Sequence, residues 1–377
     1  MNERIVGFIL RRERLARDWS QDGLCRGICA VSYLSKIEHG SVIASEDILE
    51  RLFERMGLPW HGEEPKEGEA VEGLYELLFS GEFDAFEEHR EQLEKMEYGP
   101  FAADAMLLGR FMRGRGEPLD REMEPLLDTR QLALQRVLQG RDEEAIRLLP
   151  GAFTYYWAGA AAYESGSSYT AAVEYLKKGY DLAAHDGSAH LMLMCSLLAG
   201  NCYCNQLDIV NMDAHYAVAS RLARALGDEK CLREIKYNAA SGCLETGRYD
   251  EAYAYFSSIE EPGLMELHKL AISCEKLGKR EQALEAVRRA MTMSSEYPET
   301  ELCRLMCRVV RFRLENADYL KCPEYGEMLL DCFERCRAGL PVGYASFHLP
   351  WVIEWYTASR KYRQAYELVR DFPIKLK

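Results

Sequence analysis

The hydrophobic positions near the N-terminus recur every three to four residues, which predicts amphipathic helices rather than strands. Residues 3–17 form the first predicted helix. Residues 20–40 follow as two short helices around a tight turn at residues 29–31, and Gly40 stands where a helix ends in a left-handed residue. A further amphipathic helix begins after Ser45. Two short helices around a tight turn are the arrangement that lays a recognition helix in the major groove of DNA.

The remainder of the chain keeps the helical period and repeats one phrase. This phrase is an apolar helix, a Gly or polar turn, an aromatic residue and an Ala three residues later. Its clearest copies are residues 163–179, 244–256, 275–290 and 358–369. Their spacing brackets the roughly 34 residues of a tetratricopeptide repeat. Such repeats stack so that their first helices line a surface for an extended chain or a helix.

These patterns predict an all-α protein in which an N-terminal helix-turn-helix domain precedes an α-solenoid of tetratricopeptide-like repeats. At 377 residues the chain is too long for one compact domain. We expect the helix-turn-helix, DNA-binding domain at residues 1–60 and the repeat domain at residues 69–377. Residues 61–68, which are polar and contain Pro and Gly, are the predicted linker.

Five side chains of the two short helices are candidates for DNA contact. A docked recognition helix reads bases with its first turn and with one residue a turn later, which selects Val31, Ser32 and Lys36. Val31 suits a thymine methyl group, Ser32 a base edge, and Lys36 a guanine or a phosphate. Gln21 and Ser35 are expected to contact phosphates.

The charge distribution limits nucleic-acid contact to the N-terminal domain. The whole chain carries a net charge of −14, which argues against a protein that coats nucleic acid without specificity. Residues 1–40, however, carry seven basic and five acidic side chains. A basic N-terminal segment on an otherwise acidic chain favours contact between this segment and DNA phosphates. Within the segment we expect Arg14 and Glu38 to pair.

The 13 cysteines are scattered, and neither a signal peptide nor a membrane-spanning apolar run accompanies them. We therefore expect a cytoplasmic protein with reduced cysteines, no membrane contact and no metal or other cofactor. Cys303 and Cys307 are four residues apart, as are Cys332 and Cys336. If the two pairs face each other, a Cys₄ zinc site or a redox sensor is the alternative.

Catalytic patterns are missing from the sequence. It contains no Gly-rich phosphate loop, no GxSxG and no HExxH. The many carboxylates fit solvated helix faces. We expect no catalytic residues and no enzyme.

The segment SQDGLCRGICAVSYLSKIEHG resembles the Cro/C1-type (XRE) helix-turn-helix, and its turn is one residue short. Together with the repeats behind it, it is most similar to the PlcR-like peptide-pheromone receptors grouped as RRNPP. This resemblance implies a transcription regulator of the quorum-sensing type that binds double-stranded DNA as a homodimer. It also implies that the repeat domain binds a short signalling peptide and mediates dimerisation.

Members of that family grip the peptide backbone with asparagines on the inner helices. Matching positions here are Asn201 in LLAGNCYCNQ and Asn238 in IKYNAASGCLETG. An Asn amide offers a donor and an acceptor together, so it can pair with both halves of a peptide unit. Asn205, one turn beyond Asn201, and Lys236 complete the predicted peptide-binding set.

Two alternatives remain open at this stage. In the first, the repeats bind a protein partner, which suits a broad apolar surface better than a polar groove. In the second, the paired cysteines make the chain a metal or redox sensor.

Overall fold

The computed structural model describes residues 3–62, 65–112, 118–166, 168–206, 208–293, 299–340 and 342–372. Every regular element in these ranges is helical, so the predicted all-α class is confirmed. Three short 3₁₀ segments, Met96–Tyr98, Arg121–Leu126 and Tyr319–Lys321, accompany the α-helices. None of the helices described is long and apolar enough to cross a membrane.

The N-terminal domain contains four helices: α1 (Glu3–Ala16), α2 (Gln21–Cys25), α3 (Val31–Glu38) and α4 (Glu46–Arg55). Their apolar faces meet in one core, and its buried members include Ile5, Val6, Ile9, Leu10, Leu24, Leu34, Ile37, Leu52 and Phe53. The crossing of α1 and α3 is close. A Cβ on Gly7 would lie 2.1 Å from the carbonyl oxygen of Ile37. Only glycine fits this contact.

The turn between α2 and α3 differs slightly from the prediction. It spans residues 26–30, and Val31 is already the first residue of α3. Gly27 gives the turn its left-handed residue, with φ of 76°. Gly40 has φ of 61° after α3, as expected. Ser20 caps α2, since its hydroxyl accepts the Gly23 N–H at 3.0 Å.

Six helices follow the N-terminal domain: α5 (Pro65–Ser80), α6 (Phe83–Glu87), α7 (Arg90–Lys95), α8 (Ala102–Met112), α9 (Thr129–Leu138) and α10 (Asp142–Leu148). The stretch predicted as a linker is not extended at either end. The His61 N–H donates to the Tyr98 carbonyl at 3.1 Å, and α5 begins at Pro65. Residues 63 and 64 lie outside the described residues.

The helices that follow come in pairs joined by short connections. They are α11 (Ala152–Ser165) with α12 (Tyr169–Asp186), α13 (Ala189–Asn205) with α14 (Ile209–Leu226), α15 (Glu229–Glu245) with α16 (Tyr249–Phe256), α17 (Leu264–Lys276) with α18 (Arg280–Thr292), α19 (Glu299–Glu315) with α20 (Pro323–Gly339), and α21 (Val342–Ala358) with α22 (Tyr362–Asp371). The predicted helical repeat region is confirmed.

Small residues allow the paired helices to approach closely. Ala172, Ala252 and Ala283, which the repeat phrase places in second helices, are completely buried. Ala365 of α22 is 9% exposed. Their positions match the close approach that the sequence predicts.

The chain forms two compact units. The first contains residues 1–161 and 178–194, and the second contains residues 162–177 and 195–377. The sequence divides the chain instead at residues 61–68. Aromatic packing explains the difference, because the Phe53 ring contacts Trp60 at 5.1 Å and Tyr98 at 6.3 Å between centroids. These contacts join the N-terminal helices to the segment after them.

Candidate nucleic-acid interface and ligand site

The recognition helix α3 presents a small exposed face. Val31 is 41% exposed, Ser32 and Lys36 are exposed, and Ser35 is half-buried. Lys36 forms no ion pair with any described residue. The structure therefore brings Val31, Ser32, Ser35 and Lys36 together on one short helix, and the reach of their side chains is not restricted by internal bonds.

A buried ion pair fixes the opposite face of α3. Arg14 Nε and Nη2 donate to Glu38 Oε1 and Oε2 at 2.6 and 2.9 Å, and both side chains are less than a tenth exposed. Arg14 Nη1 also donates to the Trp19 carbonyl at 2.7 Å. Glu38 raises the pKa of Arg14 further by its hydrogen bonds. The predicted Arg14–Glu38 pair is confirmed, and it ties α1 to α3.

Gln21 belongs to the same network. Its Nε2 donates to Glu38 Oε2 at 2.8 Å, which links α2 to α3. The sequence predicts a phosphate contact for Gln21 without this internal bond. One amide hydrogen is thus used within the domain, and the other has no partner among the described residues.

Two arginines of α4, which no sequence pattern marks, hold the turn before α3. Arg55 Nη1 donates to the carbonyls of Leu24 and Arg26 at 2.9 and 2.5 Å. Arg51 Nη2 donates to the Gly27 carbonyl at 3.2 Å. These cations satisfy carbonyls that the end of a short helix leaves without partners. Their position in the sequence, 24 or more residues downstream, gives no signal of this role.

In the second unit, two of the predicted asparagines lie side by side. Asn238 Nδ2 donates to Asn201 Oδ1 at 3.1 Å, and the Tyr216 hydroxyl donates to the same oxygen at 2.7 Å. The Nδ2 group of Asn201 and the Oδ1 atom of Asn238 have no hydrogen-bond partner among the described residues. One free donor and one free acceptor therefore stand next to each other, on the first helices α13 and α15.

The other two predicted residues of the peptide set have different surroundings. Asn205 Nδ2 lies 3.5 Å from the Tyr163 hydroxyl, and burial raises the pKa of Tyr163 to about 12. Lys236 is exposed. Because consecutive helix positions are about 100° apart, Lys236 points away from the face that carries Asn238. The structure does not bring Lys236 to the asparagine pair.

A buried lysine on the next first helix, α17, was not predicted. Lys269 is 6% exposed, and its Nζ lies 4.4 Å from the centre of the Phe347 ring. Burial lowers the pKa of Lys269 and raises that of Glu245, while each charge partly offsets the effect on the other. In sequence Lys269 is an ordinary helix lysine, so only the packing reveals it.

The cysteine pairs do not form the Cys₄ arrangement that the sequence leaves open. Cys332 and Cys336 are completely buried on α20, and their neighbour is His348 of α21. The Cys303–Cys307 pair lies on α19 and is not part of this group. Burial raises the pKa of Cys307 to about 12, which is typical of an inert core thiol.

A comparison with protein families agrees with the N-terminal geometry. Residues 10–61 match the family model of helix-turn-helix domains. Among solved structures, the chain is similar to the crystal structure of Bacillus thuringiensis PlcR in complex with the peptide PapR7 and DNA. The identity is 18%, the match covers 62% of this chain and 99% of that chain, and the TM-score is 0.34. A comparison with curated proteins finds no match.

Proposed function

We propose that this helix-turn-helix DNA-binding regulator reads double-stranded DNA with α3 and senses a short signalling peptide with its helical repeats. The observation that carries the DNA part is the exposed face of α3, formed by Val31, Ser32 and Lys36, on a helix whose other face is fixed by a buried ion pair. Rigid support of this kind places base-contacting groups precisely.

The start of α3 adds an anion site to this face. Its N-cap is Ala30, which makes no side-chain capping bond. The first N–H groups of α3 are therefore available to a DNA phosphate. Ser35 and the second amide hydrogen of Gln21 supply further phosphate donors.

One short recognition helix reads only a few base pairs, so we propose a homodimer on two half-sites about one helical turn apart. Selection from randomised duplexes with the full chain should enrich a sequence with two related half-sites. A variant carrying V31A, S32A and K36A should enrich none. Enrichment of the same sequence by this variant would show that α3 is not the reading element.

The peptide part rests on the asparagine pair and on the resemblance of the sequence to peptide-pheromone receptors. A peptide unit offers one N–H and one C=O, and the free Asn238 Oδ1 and Asn201 Nδ2 match this pattern. A regulator with such a site responds to the peptide because a ligand that binds one conformation better shifts the population towards it.

A randomised heptapeptide library tests this part. The full chain should retain a defined subset of peptides, and a retained peptide should raise the melting temperature, since it binds the folded state. N201A and N238A should lose both effects. N316A is the matched control, because the Asn316 amide donates to the Phe312 carbonyl of α19, directly before it, and to no other described residue. Retention by all three variants alike would refute the proposed site.

The competing hypothesis is that the repeats bind a protein partner. It is favoured if the full chain retains no peptide from the library and no peptide changes its melting temperature. The DNA part of the proposal does not depend on this result.

A further inference from the structure

Three potential metal ligands meet between α20 and α21. The Sγ atoms of Cys332 and Cys336 and a ring nitrogen of His348 lie within 4.8 Å of one another. The distance from Cys332 Sγ to His348 Nε2 is 3.8 Å. All three side chains are completely buried. Around a tetrahedral zinc ion, sulfur and nitrogen ligands stand roughly 3.5 to 4 Å apart, as follows from zinc–ligand bonds of about 2.0 to 2.3 Å.

The orientation of His348 is the one that a metal ligand requires. Its Nδ1 lies 2.8 Å from the Tyr344 carbonyl, which can only accept, so Nδ1 carries the hydrogen. In the neutral ring Nε2 then has its lone pair free, and this atom faces Cys332. Metal-binding histidines almost always donate their other N–H to a carbonyl or a carboxylate in this way.

The two cysteines supply two sulfur ligands from one helix. They are four residues apart on α20, so both sulfurs lie on one face of the helix. Metal ions bind the thiolate form, so the thiols give up their protons when the ion binds.

A fourth group near the cluster lacks a hydrogen-bond partner among the described residues. His268 of α17 is 1% exposed, and neither of its ring nitrogens has a hydrogen bond. Its ring lies 6.3 Å from that of His348, with an angle of 24° between the planes. An imidazole without hydrogen bonds, buried beside this cluster, is otherwise unexplained.

We propose that Cys332, Cys336 and His348 bind one Zn²⁺ ion, with His268 as the fourth ligand after a side-chain rotation. Zn²⁺ with two thiolates and two neutral imidazoles carries no net charge, which suits a buried position. The set is the Cys₂His₂ combination of structural zinc sites. The ion would join α17, α20 and α21, and the cysteine thiols would release their protons to solvent on binding.

Metal titration of the tag-free, fully reduced full chain tests this site. We expect one equivalent of Zn²⁺ per chain, a higher melting temperature of the loaded protein, and release of thiol protons on binding. Co²⁺ in place of Zn²⁺ should give the sulfur charge-transfer and tetrahedral d–d absorption of a Cys₂His₂ site. These signals need no variant, so they test the site even if a substitution unfolds the chain.

Variants assign the ligands. C336S and H348Q should each weaken Co²⁺ binding by more than about tenfold. Removing a residue that only hydrogen-bonds a metal ligand already costs about tenfold or more in affinity, and removing a ligand itself should cost more. C303S combined with C307S is the matched control, a second cysteine pair of the same spacing, and it should bind as the parent does. H268A should weaken binding and change the d–d bands.

Two results would overturn the proposal. The first is a reduced chain that takes up no stoichiometric Zn²⁺ or Co²⁺, in which case the cysteines are a core or redox pair. The second is binding that C303S with C307S removes and C336S does not. An H268A variant with the parent's Co²⁺ spectrum and affinity would overturn the fourth ligand.

Discussion

Replacing Glu38 with Ala removes the acceptor at the centre of the N-terminal domain. Arg14 then loses its bonds of 2.6 and 2.9 Å, and Gln21 loses its bond of 2.8 Å. The Arg14 side chain is only 8% exposed, so water cannot replace these partners. The guanidinium keeps a single acceptor, the Trp19 carbonyl.

The expected cost follows from the buried charge that is left behind. Removing one partner of a buried ion pair destabilises a protein by about 3–5 kcal/mol. Replacing both partners by apolar residues of similar volume is often neutral, because no charge stays buried alone. The free energy of unfolding of the double variant R14M/E38L should therefore be close to that of the parent, even though both substituted side chains lie in the same core. At about 1.4 kcal/mol per factor of ten, E38A should open the domain roughly 10²- to 10⁴-fold more often.

Hydrogen exchange of the full chain, read by mass spectrometry on peptides that cover α3, measures this opening directly. In E38A the amides of Leu34 and Ile37 should exchange roughly 10² to 10⁴ times faster than in the parent. R14M/E38L should stay within about tenfold of the parent. Unchanged exchange in E38A, or equally fast exchange in both variants, would refute the reasoning from the buried charge.

Two further predictions concern the helix crossing and the buried lysine. G7A should destabilise the N-terminal domain by about 1–3 kcal/mol, because its Cβ would meet the Ile37 carbonyl. The control is G73A in α5, where a Cβ would have nothing within 4 Å, and it should stabilise the chain by up to about 1 kcal/mol. Hydrogen exchange of α3 and thermal melts compare the two variants. Burial lowers the pKa of Lys269 in the folded chain below its usual value of about 10.4. Between these two pKa values the unfolded chain binds one proton more than the folded chain, so the free energy of unfolding rises with pH. K269M should flatten this rise in urea unfolding measured just below about pH 10.4, and an unchanged slope would show that Lys269 is not its source.

The N-terminal domain was predictable because its signals are local. The caps, the inward positions and the left-handed Gly40 all follow from spacings within a helix or a turn. The Arg14–Glu38 pair could be anticipated as well, since α1 and α3 must cross in such a domain. Arg51 and Arg55 could not, because their acceptors are backbone carbonyls, which no sequence pattern marks.

In the repeat region the helices were predictable from the sequence, but one side-chain cluster between them was not. The helix pairs were predictable from the repeated phrase. Asn201 and Asn238 came from the resemblance to peptide receptors; the structure places their side chains together, and their contact with a peptide stays a prediction. The partner of Cys332 and Cys336 was not, since His348 lies in an aromatic-rich segment that the repeat phrase does not match. Which helices meet there depends on the packing of whole helices rather than on spacing along the chain.

The salt dependence of DNA binding tests the central claim most directly. Fluorescence anisotropy with a duplex obtained by selection should give an association constant whose logarithm falls linearly with the logarithm of the salt concentration. If Lys36 contacts a phosphate, K36Q should bind more weakly and with a slope shallower by about one. Binding that does not respond to salt, or a K36Q variant with the parent's affinity and slope, would contradict recognition of DNA through α3.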